Sequence, residues 1–136
     1  MILDTDVLGA LSAGRYPRRM RDEVERAGAL CTTAINWAEV CYGIARRMPP
    51  HAGVLRDRYS RLVRPFVQTL DFDEMCAEIC GRLRADLERR GVPLNDTDLM
   101  IASIALRHDL TLVTGNPRHF SRLPGLKLEN WLTEDE

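Results

Sequence analysis

Four places in the chain set oxygen-bearing side chains where chemistry could use them. Asp4-Thr5-Asp6 follows the apolar pair Ile2-Leu3, and Glu39 sits between Ala38 and Val40 in a largely apolar stretch. Asn95-Asp96-Thr97-Asp98 opens another apolar run, and Thr114-Gly115-Asn116 follows Leu112-Val113. Clustered carboxylates repel and raise one another's pKa unless a cation sits among them. Oxygen ligands with no His or Cys partner suit Mg²⁺ or Mn²⁺ and not Zn²⁺. Such an ion activates water and stabilises phosphoryl oxygens without a histidine base, so the combination points to metal-dependent phosphoryl chemistry.

Each of these residues also has a structural use. Asp4 and Asp6 suit the N-cap of a first helix, and Asp96 and Asp98 suit a helix N-terminus through capping and the helix dipole. Asn116-Pro117 is a common turn opener. Glu39 is harder to explain this way. An unpaired carboxylate in an apolar environment costs several kcal/mol or takes up a proton, so its structural partner would be a nearby Arg.

The elements that must gather these residues are short strands alternating with helices. Ile2-Leu3 reads as a strand end, Val7 to Ala13 as a helix stopped by Gly14, and Pro17 to Ala27 as a second helix stopped by Gly28. Ala29 to Thr33 is the next strand candidate, and Ile35 to Arg47 a helix broken by Pro49-Pro50. His51 to Val63 reads as helix and Phe66 to Leu70 as strand. From Phe72, the residues Met75, Cys76, Ile79, Cys80, Leu83 and Leu87 predict one apolar stripe ending at Gly91. Asn95 and Asp96 cap a buried helix through Leu106, Leu110 to Thr114 reads as a buried strand, and Leu126 to Leu128 as an edge strand. This alternation predicts a parallel sheet with helices on its faces, whose ligand site lies beyond the carboxyl ends of the strands.

Composition narrows the class. The chain has 136 residues, 45% hydrophobic and 29% charged with a net charge of −1, which fits one folded domain and excludes wholesale disorder. No apolar run approaches the roughly 20 residues of a membrane span. Met1-Ile2-Leu3-Asp4 turns acidic at once, with no basic and apolar leader, and predicts a cytoplasmic protein. Cys31, Cys41, Cys76 and Cys80 lack metal-ligand spacing and read as reduced, buried thiols. Lys127 is the only lysine among 19 basic residues, and Arg46 to Arg64 holds six arginines against Asp57, which is either a solvated helix face or a track for a polyanion. The chain ends on the acidic Glu134-Asp135-Glu136.

Taken in order, these residues resemble the motifs of the PIN-domain ribonucleases, most closely the VapC-type toxins of bacterial toxin–antitoxin pairs. Met1 to Leu8 is similar to a hydrophobic start followed by D-T-N/D-hydrophobic. Thr33 to Gly43 resembles a polar residue leading into a helix with E-hydrophobic-x-x-G, and Asp98 to Ala105 matches D-x-x-I-A-x-x-A. Leu112 to Phe120, Pro124-Gly125-Leu126 and Glu129-Asn130-Trp131 follow the closing pattern. Each motif is short; their ordered run from residue 1 to Trp131 is specific.

The resemblance implies a single PIN-like α/β domain over residues 1–136, with a central parallel sheet of four to five strands flanked by helices. It implies Asp4, Glu39 and Asp98 as catalytic, metal-binding acids, with Asp96 the competitor to Asp98; the D-x-x-I-A match favours Asp98. Asn116 stands where the family often has Asp, which makes a one-metal site easier to defend than a two-metal one. Thr114 would present its hydroxyl to the site, and Asp6 stands where Asn is more common. The implied reaction is Mg²⁺-dependent hydrolysis of RNA by an activated water, with Mn²⁺ as an alternative ion. Implied partners are the RNA substrate, a second copy in a homodimer and a VapB-type antitoxin whose tail enters the acidic groove. Trp37, Tyr42, Ile44 and Met48 divide between core and antitoxin docking.

Two other readings compete. A haloacid-dehalogenase-type phosphatase also opens with a strand and Asp-x-Asp, but it needs a lysine near the phosphoryl group and Lys127 is poorly placed. A non-catalytic PIN protein that binds RNA or antitoxin is kept open by Asn116.

Overall fold

The computed structural model describes residues 1–133, so the acidic Glu134-Asp135-Glu136 lies outside the described residues. Five strands alternate with six helices among them: β1 (Ile2–Leu3), α1 (Thr5–Ala13), α2 (Arg18–Arg26), β2 (Leu30–Thr33), α3 (Ala34–Ala45), α4 (His51–Leu62), β3 (Val67–Leu70), α5 (Glu74–Arg89), α6 (Asp96–His108), β4 (Leu112–Val113) and β5 (Leu128–Glu129). The strands form one sheet in the order β3-β2-β1-β4-β5, and every pairing is parallel. This is the expected α/β sheet with five strands, and β5 lies at its edge as the sequence predicts.

The sheet is covered on both faces, which is why its central strands carry no polar alternation. Successive strand residues point to opposite faces. Ile2, Cys31 and Leu112 therefore pack with Leu87, Leu99 and Ile104 of α5 and α6. Leu3, Leu30 and Val113 pack on the other face with Val7, Leu8, Val40 and Trp131.

Several boundaries differ from expectation. α1 begins at Thr5 and not Val7, because Asp4 caps it and the turn from β1 needs no linker. β4 shortens to Leu112–Val113, since Leu110 N–H closes α6 by donating to Ala105 O. The stripe on α5 is narrower than the sequence suggests. Cys76 and Leu87 are buried but Met75 is 51% exposed, because α5 packs along α6 on one flank only. All four cysteines are free; Cys31 and Cys76 are buried as expected, whereas Cys41 is exposed on the outer side of α3.

The strand order places the site. β1 is flanked by β2 on one side and by β4, more than a hundred residues later, on the other. The chain thus reverses its winding direction at β1, and the crevice beyond the strand ends at such a switch point is where open α/β sheets bind ligands. Asp4 leaves β1 there, Thr33 ends β2 and Thr114 follows β4.

Candidate active site

The site is built around Asp4, which is at once an N-cap and the hub of a buried hydrogen-bond network. Its Oδ1 accepts from Thr5 N–H at 2.9 Å and from Asn36 Nδ2 at 2.7 Å, and its Oδ2 accepts from the Thr114 hydroxyl at 2.7 Å. Asn36 is fully buried in the first turn of α3. Its Nδ2 also reaches Thr5 Oγ1 at 3.0 Å, and its Oδ1 accepts from the hydroxyl of Thr33, the cap of the same helix, at 2.7 Å. Buried polar groups cost free energy unless paired, and here each partner fixes the next. One network therefore ties the ends of β1, β2 and β4 together.

Glu39 joins the cluster through Thr5, whose hydroxyl donates to its Oε1 at 2.9 Å. Among the described residues no Arg pairs with Glu39, the partner expected for it if it were structural. The helix phase explains why Glu39 avoids the core: Asn36, Val40 and Ile44 take the buried face of α3, and Glu39 lies beside it at an open groove. Asp98 reaches the same place from the first turn of α6. Asn95 caps that helix by accepting from Asp98 N–H at 2.8 Å, and its Nδ2 donates to Asp98 Oδ2 at 2.9 Å. Asp96 goes elsewhere. Its carboxylate is 66% exposed and pairs with Arg84 of α5 at 3.2 Å, so the structure separates the two candidates and gathers Asp98.

Electrostatics carry the mark of crowded acids. Partial burial is the largest cause raising the carboxyls of Asp6, Glu39 and Asp98 above their ordinary values. The Asp4 charge adds to all three, and Asp98 adds to Glu39. Hydrogen bonds from Gly115 N–H, Thr5 and Asn95 respectively oppose the rise. Among the described residues no Lys or Arg lies within ion-pair distance of Asp4, Asp6, Glu39 or Asp98. Among the described residues no group of three His, Cys, Asp or Glu side chains is set close enough together to hold a metal ion by itself. The acids are an all-oxygen donor set whose basic neighbour among the described residues is His119, 3.6 Å from Asp98, and such a set fits Mg²⁺, an ion that keeps several waters and needs only one or two direct carboxylates. Asp4, Glu39 and Asp98 are the residues that would hold it.

Three contributors were not singled out from the sequence. Asn36 and Thr5 connect Asp4 to Glu39, and the signal available was a polar residue in the first turn of an otherwise apolar helix. The third is His119, in a 3₁₀ turn over Pro117–His119. Its Nδ1 lies 3.6 Å from Asp98 Oδ2 and its Nε2 lies 3.0 Å from Asn116 Nδ2. Asn116 thus meets the cluster through His119, while its N–H donates to Thr114 Oγ1 at 3.1 Å.

Gly115 lets the chain between Thr114 and Asn116 pass close to the side chains of Asp6 and Leu132. Its N–H donates to Asp6 Oδ2 at 2.9 Å, and a Cβ there would meet that same oxygen at 2.5 Å and Leu132 Cδ1 at 2.9 Å. Gly115→Ala is therefore expected to displace Asp6 and lower stability by about 1–3 kcal/mol, which a melting curve reads directly.

The PIN domain family model matches residues 1–126. The chain belongs to the PIN-domain family. Within it the chain is VapC-like. It is 33% identical over 118 residues to the tRNA(fMet)-specific endonuclease VapC of Salmonella typhimurium, covering 85% of this chain and 86% of that one. It is 31% identical over 135 residues to ribonuclease VapC2 of Rickettsia felis, covering 96% of each. The crystal structure of VapBC2 from Rickettsia felis bound to a DNA fragment from their promoter superposes with a TM-score of 0.82 at 27% identity, covering 96% of this chain and 97% of that one. In this PIN domain, Lys127 pairs with Asp109 at the opposite, amino-terminal edge of the sheet, so no lysine serves the Asp4 site as the phosphatase reading requires. No helix among the described residues is long and apolar enough to cross a membrane.

Proposed function

We propose that this VapC-type PIN domain is a Mg²⁺-dependent endoribonuclease toxin of the cytoplasm, restrained by a VapB-type antitoxin. The observation that carries this reading is the convergence of Asp4, Glu39 and Asp98 at the β1/β4 switch point with no Lys or Arg in ion-pair distance among the described residues. Mg²⁺ (or Mn²⁺) supplies, when bound, an activated water and charge neutralisation at the phosphate. The chain's own residues hold the acids in place. Asn36 and Thr114 fix both oxygens of Asp4, Thr5 fixes Glu39, and Asn95 fixes Asp98. A carboxylate so held orients a water or ligand without reorganising during the reaction. Asn116 contributes no charge, which supports one metal over two.

The names of the relatives support RNA as the substrate and a VapB-type protein as the partner. An antitoxin side chain such as Arg entering the groove would neutralise the same acids. A homodimer completes the reading. The test is incubation of total RNA with the purified protein in Mg²⁺ or EDTA. Discrete fragments that require Mg²⁺ are expected; a folded protein that leaves RNA intact in Mg²⁺ overturns the nuclease reading in favour of the non-catalytic one.

A further inference from the structure

Beside the acids a groove of about 670 Å³ runs between α3 and α6, with Thr5 and Glu39 at one end and Arg46 at the other. Glu39, Tyr42, Gly43 and Arg46 follow one another along a single face of α3, spanning about 10 Å of helix axis. Ile35 and Met100 give the groove apolar walls. Tyr42 is 68% exposed, and the Arg46 guanidinium sits over its ring at 5.7 Å from the centroid. At Gly43 a Cβ would meet nothing within 4 Å, so the absent side chain leaves the space beside the ring open. Arg46 also lines the next depression, shared with Arg47 and Arg58, so positive charge continues away from the acids.

Met48 and Phe66 are exposed as well, but among the described residues Tyr42 is the exposed large apolar side chain that lines the groove beside Glu39. The ends of the groove differ in sign, which discriminates among occupants. An acidic peptide is repelled at Glu39 and a basic one at Arg46 and Arg47. A nucleotide satisfies the whole length: its base offers a π-face to Tyr42, its own phosphate meets the arginines, and the neighbouring phosphate reaches the acids with their cation.

We infer that Tyr42, backed by Arg46, forms a stacking subsite for an unpaired RNA base next to the cleaved phosphodiester. This rests on the nuclease reading and adds to it a residue that positions the substrate. A base can stack on a side chain only when it is splayed out, so the subsite selects single-stranded or loop RNA over duplex.

The test uses an Asp98→Asn background to stop cleavage and a fluorescein-labelled single-stranded RNA decamer of mixed sequence. Tyr42→Ala is expected to weaken binding by about 5- to 150-fold, with Tyr42→Trp and Tyr42→Phe retaining it. Scanning one abasic position along the decamer should find one site that weakens the parent but adds nothing to Tyr42→Ala, and the same sequence as duplex should show no dependence on Tyr42. Unchanged affinity for Tyr42→Ala overturns the inference, as does an effect confined to the antitoxin complex. Cleavage of RNA by the chain with native Asp98 separates the two failures. If that protein cuts RNA and Tyr42 is indifferent, only the subsite falls; if it neither cuts nor binds RNA, both readings fall.

Discussion

Asp4→Asn is expected to lower RNA cleavage by roughly 10²–10³-fold, the loss usual when a preorganised electrostatic contact to the reacting group is removed. The fold should survive. Asn keeps an oxygen for Asn36 Nδ2 and Thr5 N–H, and its amide can donate to Thr114 Oγ1 in place of the bond now running the other way. Asp4→Ala is a poorer test, because it strands the Asn36 amide and the buried Thr114 hydroxyl at about 1–3 kcal/mol each. Cleavage rates and melting curves measured on the Asn variant separate chemistry from folding. Normal cleavage by a well-folded Asp4→Asn protein would remove Asp4 from the site.

The second large effect is on stability, and it couples acid crowding to metal. The raised carboxyls of Asp6, Glu39 and Asp98 bind protons more tightly folded than unfolded. Stability then falls as pH rises through the interval between the ordinary values of 3.8 to 4.5 and the raised ones. Below that interval both states are protonated and the penalty is absent; above it, at neutral pH, the penalty is complete. Glu39→Gln keeps the Thr5 hydrogen bond and removes one charge, so in EDTA it should melt higher than the parent at pH 7 and lose that advantage as pH drops through the interval. Mg²⁺ should oppose the same penalty, adding about 2.7 kcal/mol at a hundred times its dissociation constant. Melting the two proteins with and without Mg²⁺ checks both signs. A Glu39→Gln protein that gains as much from Mg²⁺ as the parent would argue against Glu39 as a ligand.

Much of this site was legible because its residues sit where strands end. Asp4, Thr33 and Thr114 each follow a short apolar run, and a parallel sheet brings such ends together. What the sequence left ambiguous was rotation about helix axes. Asp96 and Asp98 are two residues apart, roughly opposite in helical phase, and only the packing of α6 against α5 and α3 decides that Asp96 meets Arg84 while Asp98 meets the cluster. The same limit hid Tyr42 and Cys41. Both fit a helical apolar pattern, yet α3 buries only the strip through Asn36, Val40 and Ile44. Of the four residues divided between core and docking, Ile44 is buried, Trp37 packs edge-on to Tyr59, and Tyr42 and Met48 are exposed. Asn36 was illegible for a different reason: a buried polar hub has no periodicity and is defined by partners scattered along the chain.

The bond between Thr114 and Asp4 joins residues 110 positions apart. β4, which delivers Thr114, pairs with β1, the first strand in chain order, and Trp131 packs beneath the same sheet. Asp4 and Glu39 therefore lack their closing strand until residues 112–114 are docked beside β1. Closing the site therefore waits on a contact of very high sequence separation, which sets it among the parts of the fold whose chain-closure entropy is met last.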